Sequence, residues 1–402
     1  MDLPGVPNRL LEDLRDAAGA VGVNRLALVG GAVRDYLLHQ QSGRDWDSVP
    51  DLDFVVEGDA AALVAELTQR CSADRLTAVQ QYGSYGTLSL QLDGIPLDLA
   101  TARREFYPAP AENPVVTAGT LEADLARRDF TINAIAFDLV SGELIDLHHG
   151  QEDLGSGQLS FLHDVSVQDD PTRVIRAARY AARLGFQLAE DSREQIRNTI
   201  KAWPWVWCQG DVAEAPPALS TRLRMELERV LEKEPWPQAL VLLEEWHALP
   251  LLDQQLQNDP RRLQRLSWAR RLGLPLMPAL LLGAAAPVPV AQRLHIPGKH
   301  QQWLQQVVAL RDWLIDSPHL IDASPSIWST ALEQKGWLPE AVALAVTLRP
   351  QQWKPLLRWW GRWRWIQGPQ TARDLIDEGW QPGLAMGQEL RRQRSAAQDR
   401  SR

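Results

Sequence analysis

The spacing of apolar and polar residues divides the chain into a mixed first part and a helical remainder. Residues 8–20 read as a leading helix. A short apolar strand follows at 26–29, then a helix at 32–40 and a strand at 52–56. Asp59 is placed to cap a helix running to about Cys71. Strands at 87–92 and 95–100 are joined by Asp93-Gly94, the dipeptide of a tight hairpin. A helix is expected from Leu121 through residue 136, because Phe130, Ala134 and Phe137 fall at i, i+4 and i+7. That stripe leaves Arg128, Asp129 and Asn133 to point away from the core. A second hairpin joins 137–139 to 144–146 through Ser141-Gly142. After Gly150 strand signals fade, and helical spacing is broken at 210–217, Asp259-Pro260, 287–289 and Ser324-Pro325. No internal repeat is evident.

Composition narrows the class. A chain of 402 residues is long enough for roughly two to three domains. No run reaches the ~18 apolar residues of a membrane span, and no basic-then-apolar signal pattern opens the chain. Cys71 and Cys208 give neither a disulfide framework nor a zinc spacing, so a soluble cytoplasmic protein is expected. The net charge of −9 excludes a globally basic nucleic-acid binder, so RNA contacts need local patches. One candidate is the segment where Trp353, Trp359, Trp360, Trp363 and Trp365 interleave with Lys354, Arg358, Arg362 and Arg364. It reads either as a stacking surface for RNA or as a helix with buried tryptophans and a solvated basic face.

Candidate chemistry sits in two short segments. Gly30-Gly31-Ala32-Val33-Arg34-Asp35 places two glycines between a strand and a helix, where backbone N–H groups can approach an anion. In Asp51-Leu52-Asp53 the carboxylates are at i and i+2. On a strand they share one face and would suit a hard cation such as Mg²⁺. Arg127-Arg128-Asp129-Phe130-Thr131-Ile132-Asn133-Ala134 adds a third polar cluster.

In this order the three segments resemble the class II tRNA nucleotidyltransferase and poly(A) polymerase family of the DNA polymerase β superfamily. Leu144-Ile145-Asp146, the run from Asp169 to Tyr180, the run from Thr221 to Leu227 and a tail around Gly379-Trp380-Gln381-Pro382-Gly383 resemble its later motifs. The resemblance implies an α+β fold: a polymerase-β-like head with a small mixed sheet, followed by an all-helical neck, body and tail. Expected boundaries are a catalytic head at 1–150, a neck carrying the nucleotide-selecting helix at 151–215, and a tRNA-binding body and tail at 216–402.

The implied reaction adds C and A to the 3′ end of tRNA from CTP and ATP without a template, releasing pyrophosphate. Asp51 and Asp53 would hold two Mg²⁺ ions, with Asp98 on the neighbouring strand as a candidate third carboxylate. Gly30, Gly31 and Arg34 would hold the triphosphate, and Arg128, Asp129 and Asn133 the sugar and phosphates. Asp170 and Arg173, at i and i+3 on one helix face, would read the base edge, with Arg176 and Arg179 supporting the pocket. Residue 169 is Asp where many members have Glu. The Pro-, Ala- and Thr-rich segment 108–120 corresponds to the mobile loop linked to the switch from C to A addition, and it holds no basic residue.

Partial CC- or A-adding enzymes remain alternatives. Bacterial poly(A) polymerase is disfavoured by Val55-Val56-Glu57-Gly58-Asp59, where a basic strand would stand. A catalytically silent RNA-binding paralogue is disfavoured by the intact Asp51 and Asp53, and a nucleotidyltransferase acting on proteins or small molecules by the selecting helix. His163-Asp164 is an isolated pair, without the further His and Asp of a fused phosphohydrolase. No obligate protein partner and no membrane association are expected.

Overall fold

The structure is a computed structural model that describes residues 1, 3–43, 46, 51–82, 86–201 and 217–401. These fall into two compact units, one holding the described residues up to 201 with 217–226 and 233–248, the other holding 227–232 and 249–401. The expected break at 210–217 and Cys208 lie outside the described residues, except Pro217, which opens a helix.

The first unit begins with α1 (Asn8–Ala20), β1 (Arg25–Val29), α2 (Gly31–Ser42), β2 (Leu52–Glu57) and α3 (Ala60–Arg70). The Asp59 carboxylate accepts the Ala61 N–H at 2.8 Å and so caps α3 as its sequence position requires. Strands β3 (Leu76–Tyr82), β4 (Thr87–Leu92) and β5 (Ile95–Thr101) follow. Asp93 and Gly94 both take positive φ between β4 and β5, the geometry a two-residue turn demands. Next come β6 (Arg103–Phe106), β7 (Val115–Ala118), α4 (Leu121–Ala126), β8 (Ile135–Asp138) and β9 (Leu144–Asp146). Seven strands form one mixed sheet in the order β3-β4-β5-β2-β1-β8-β9, in which only β2 and β5 run parallel.

Register decides which face carries chemistry. Ala27 pairs with Val55 and Val29 with Asp53. Ala27, Val29 and Val55 form a buried cluster with Leu121 and Leu125 of α4, so Asp53 projects from the face that α4 covers. The opposite face, with Leu26, Leu28, Phe54 and Val56, is equally buried. A central strand between two apolar layers holds Asp53 rigidly at its mouth.

The helix expected through residue 136 ends at Ala126. Phe130 is extended, its N–H taken by the Asp129 carboxylate at 3.0 Å. A single 3₁₀ turn, Thr131–Asn133, then leads into β8. A local Asp-to-backbone bond and the β-branched Thr131, Ile132 and Ile135 override the helical period. Phe130 and Ala134 are still buried, Phe130 against the rings of Phe161 at 5.4 Å and Tyr180 at 5.6 Å, and Ala134 in the core cluster with Val29 and Leu125. The segment 108–120 is also more ordered than its composition implies. β7 pairs antiparallel with β6, and Gly119 lets the hairpin close, since a Cβ there would lie 2.9 Å from the backbone of Arg103 and Arg104.

The unit continues with α5 (Gly150–Ser156), β10 (Gln158–Leu159), α6 (Ser166–Asp169), α7 (Thr172–Leu184), β11 (Gln187–Leu188), α8 (Glu190–Lys201), α9 (Pro217–Lys233) and α10 (Trp236–Glu245). β10 and β11 form a two-stranded parallel pair. α7 ends at Gly185 in the left-handed region, the usual glycine stop.

The second unit is helical among its described residues. Pro287, Pro325 and Pro339 each open a helix at its first turn, where a missing N–H costs nothing. In the tryptophan-rich segment Trp359 and Trp363 are buried, whereas Trp365 is 66% exposed and carries the Arg364 guanidinium 4.2 Å above its ring. The segment therefore has buried tryptophans and one exposed tryptophan beside a basic residue. No described helix is long and apolar enough to cross a membrane.

Candidate active site

Asp53 on β2 and Asp98 on β5 are direct register partners in the one parallel pair of the sheet. Asp98 also accepts a hydrogen bond from the Ser89 hydroxyl. Asp51 is exposed and stands just before β2, two residues from Asp53. Asp53 is exposed too, yet the loss of hydration around it at the strand end raises its carboxyl to about 6, with Arg128 opposing and the charges of Asp98 and Asp51 adding to the rise. Two paired carboxylates with a third in sequence are oxygen donors of the kind a hard divalent cation takes. Among the described residues no three His, Cys, Asp or Glu side chains lie close enough together to hold a metal ion.

Gly30 follows the β1 residue that pairs with Asp53 and has φ +72°, ψ −130°, a conformation open to glycine alone. A Cβ there would lie 3.4 Å from Arg128 Nη1 and 3.8 Å from Asp53 Oδ2. The α4 C-terminus thus delivers Arg128 over the glycine turn. Arg128 Nη2 donates to Asp124 at 3.0 Å, and its Nε is buried without a partner. A buried unpartnered donor beside a glycine turn and a helix N-terminus is an arrangement that suits an anion.

From Gly31 the α2 helix carries Arg34 inward, where it is 3% exposed. Arg34 donates to Asp35 at 2.8 Å and to Asn133 Oδ1 at 2.7 Å. Asn133 Nδ2 donates to Asp129 at 2.9 Å. Asp129 accepts Arg176 through Nε at 2.9 Å and Nη2 at 2.6 Å. Arg176 reaches on to Glu226 of α9 at 3.0 Å. Burial would raise the Asp129 carboxyl, but Arg176 and the Asn133 bond outweigh it and hold the group at about 2. Arg179 is placed beside this chain, 3.8 Å from Glu234 and stacked on Tyr180 at 4.8 Å.

Asp170 and Arg173 do not share a helix face. Asp170 precedes α7 in extended backbone, and its carboxylate accepts the N–H and hydroxyl of Thr172 at 3.1 and 2.7 Å. The Asx turn ahead of Pro171 wins over helical continuation. Both side chains nevertheless line one cavity of about 430 Å³ with Arg103, Glu105, Tyr107, Arg127, Arg128, Asp129, Arg176 and Arg222. Sequence reading assigned no role to Glu105, Tyr107, Arg127 or Arg222. Glu105 collects Arg103 at 3.0 Å and Arg127 at 3.1 Å, and Arg222 spans Asp170 at 3.6 Å and the Ala111 carbonyl at 2.9 Å. Burial pushes the Tyr107 phenol up to about 12. The sequence signal was the Arg-Arg-Glu at 103–105, whose strand pairing nothing in the composition announced.

A glycine turn, a paired-carboxylate strand mouth and an arginine-rich cavity on one mixed sheet define a nucleotidyltransferase-like head. A model of the poly(A) polymerase head domain matches residues 26–160. The chain is 32% identical over 387 residues to the CC-adding tRNA nucleotidyltransferase of Deinococcus radiodurans, covering 94% of this chain and 86% of that protein. It is 35% identical over 251 residues to the A-adding tRNA nucleotidyltransferase of Aquifex aeolicus, covering 62% of this chain but only 28% of that relative. A solved CCA-adding enzyme in an apo form superimposes with a TM-score of 0.74 over 97% of this chain and 93% of its own, at 23% identity, a likeness of fold. The chain belongs to the tRNA nucleotidyltransferase family.

Proposed function

We propose that this protein adds C and A to the 3′ end of tRNA from CTP and ATP, with release of pyrophosphate, in the cytoplasm. The observation that supports the reading most is the Asp53–Asp98 register pair facing Gly30 and the unpartnered Arg128 Nε. A divalent ion, Mg²⁺ in a two-metal arrangement, would be held by Asp51 and Asp53 and would supply charge stabilisation for the attacking and leaving oxygens. Asp98 helps to activate the 3′-hydroxyl. The Gly30 and Gly31 N–H groups with Arg34 and Arg128 bind the triphosphate. Asp129 and Asn133 hold the sugar end of the cavity through Arg34 and Arg176. Asp170 and Arg173 read the base edge, with Arg176 and Arg179 behind them.

The proposed division remains a catalytic head at 1–150, a selecting neck at 151–215 and a tRNA-binding body and tail at 216–402. Within the last, Arg362, Arg391 and Arg392 are exposed and suited to phosphates, and Trp365 to a base. A second reading, CC addition alone, is favoured by the near full-length likeness to the Deinococcus radiodurans CC-adding enzyme. Transcripts of tRNA ending at the discriminator base, at C or at CC, incubated with each labelled nucleotide and sequenced at their ends, test both. Arrest after two cytidylates would select the second reading, and no incorporation on any end would refute both.

A further inference from the structure

His163 has no place in a metal site, yet it lies between β10 and α6 beside the most enclosed arginine of the cavity. Its backbone is pinned, the carbonyl accepting Gln195 Nε2 at 3.0 Å and the Ser166 N–H at 3.1 Å. Gln195 is itself held by the Val167 N–H at 2.7 Å. The imidazole is half-buried, with Nε2 3.4 Å from Arg173 Nη1. Burial, then the charge of Arg173, push this imidazole down to about 4, so near neutrality it is uncharged and can accept. On its other terminal nitrogen, Arg173 donates to the Arg127 carbonyl at 2.8 Å. Two partners on separate segments, one at each end of a guanidinium that is 4% exposed, restrain its rotation. The Nε–H and one hydrogen on each terminal nitrogen stay available.

We propose that His163 is a positioning residue for nucleotide selection, fixing the guanidinium plane of Arg173 so that its remaining donors face the incoming base. The inference rests on Arg173 being the base-reading residue. With His163 gone, the guanidinium would pivot about the Arg127 carbonyl and present its donors at variable angles. Discrimination would suffer before turnover does.

The test uses the full chain, tRNA transcripts lacking one or two terminal nucleotides, and all four nucleoside triphosphates. The ratio of kcat/KM for CTP or ATP over UTP or GTP should fall roughly two- to tenfold in His163→Leu, the net weight of one ordinary hydrogen bond, because Arg173 keeps its charge and its Arg127 anchor. His163→Gln, whose amide oxygen can occupy the place of Nε2, should recover most of the ratio, and His163→Asn, whose oxygen stops short, should not. His163→Leu added to Arg173→Ala should worsen selection no further, since both act through one group. If His163→Leu keeps wild-type discrimination while Arg173→Ala loses it, the positioning role is overturned. If Arg173→Ala also keeps it, the assignment of Arg173 is the part that fails. Equal loss with all four nucleotides alongside a lowered melting point would reduce His163 to a packing role, which overturns the inference as well.

Discussion

Asp129→Asn is the sharpest test of the charge chain that links the glycine turn to α7. The wild-type carboxylate accepts three side-chain N–H bonds, one from Asn133 and two from Arg176, and one from its own following amide. Those contacts lower it from 3.8 to about 2, and a difference of roughly two units is worth ~2–3 kcal/mol of folded stability at neutral pH. Asparagine keeps the shape but removes the charge, leaving Arg176 with Glu226 as its carboxylate. Thermal melts at pH 7 should show a fall of about 5–10 °C. The sign of the pH dependence follows from the depressed pKa. The contribution is complete above the unfolded value near 4 and is lost as pH falls towards about 2. Wild type and variant should therefore differ by a constant amount from about pH 8 to pH 5 and converge below about pH 4. A difference that persists undiminished at about pH 3, or none at pH 7, would refute the reasoning.

Other outcomes are equally specific. Asp53→Ala should abolish nucleotide incorporation while tRNA affinity, read by gel shift, stays near wild type; ordinary turnover would dismiss the carboxylate pair. Gly30→Ala forces a side chain into φ +72° beside Arg128, costing ~1–3 kcal/mol, and should raise KM for CTP and ATP; an unchanged KM would argue against the phosphate role. Arg173→Ala should relax base choice roughly ten- to hundredfold, the weight of a charge-assisted hydrogen bond, read as UTP or GTP misincorporation. Arg362→Glu with Arg391→Glu should lower tRNA affinity and reduce its log–log salt slope by about 0.7–0.9 per lost phosphate contact; an unchanged slope would clear that surface of a tRNA role.

The elements with strong local signals were legible from sequence. The Asp59 cap, the Asp93-Gly94 turn and the apolar strand at β1 each depend on residues within a few positions, and each is found where expected. Asp53 could be placed on a strand face, but not opposite Asp98, because register between β2 and β5 is set by packing over a gap of some forty residues. The helix through 136 failed because an apolar i, i+4 spacing also fits a chain that turns once and enters a sheet. Asp170 and Arg173 shared a cavity without sharing a face, since Pro171 and Thr172 draw the carboxylate into an Asx turn. Glu105 and Arg222 escaped notice because their role arises from three segments meeting, which no spacing encodes.

Buried ion pairs add little net stability compared with apolar packing, so their density around α7 calls for another cause. The cavity is lined by six arginines and three carboxylates. Arg173 and Arg176 are each gripped at two points, and Arg34, Arg176, Arg179 and Arg183 all lie within 6 Å of the Tyr180 ring centroid. A guanidinium held in a fixed plane can tell one base edge from another, whereas a solvated one offers its donors in every direction. The same carboxylates that fix these planes also cancel part of their charge, leaving a local positive surplus in a chain of net charge −9. That surplus matches a triphosphate without making the whole surface sticky to RNA. On the proposed selecting role, specificity and modest charge would come from one arrangement, and removing any carboxylate from it should loosen selection and raise unproductive nucleotide binding together.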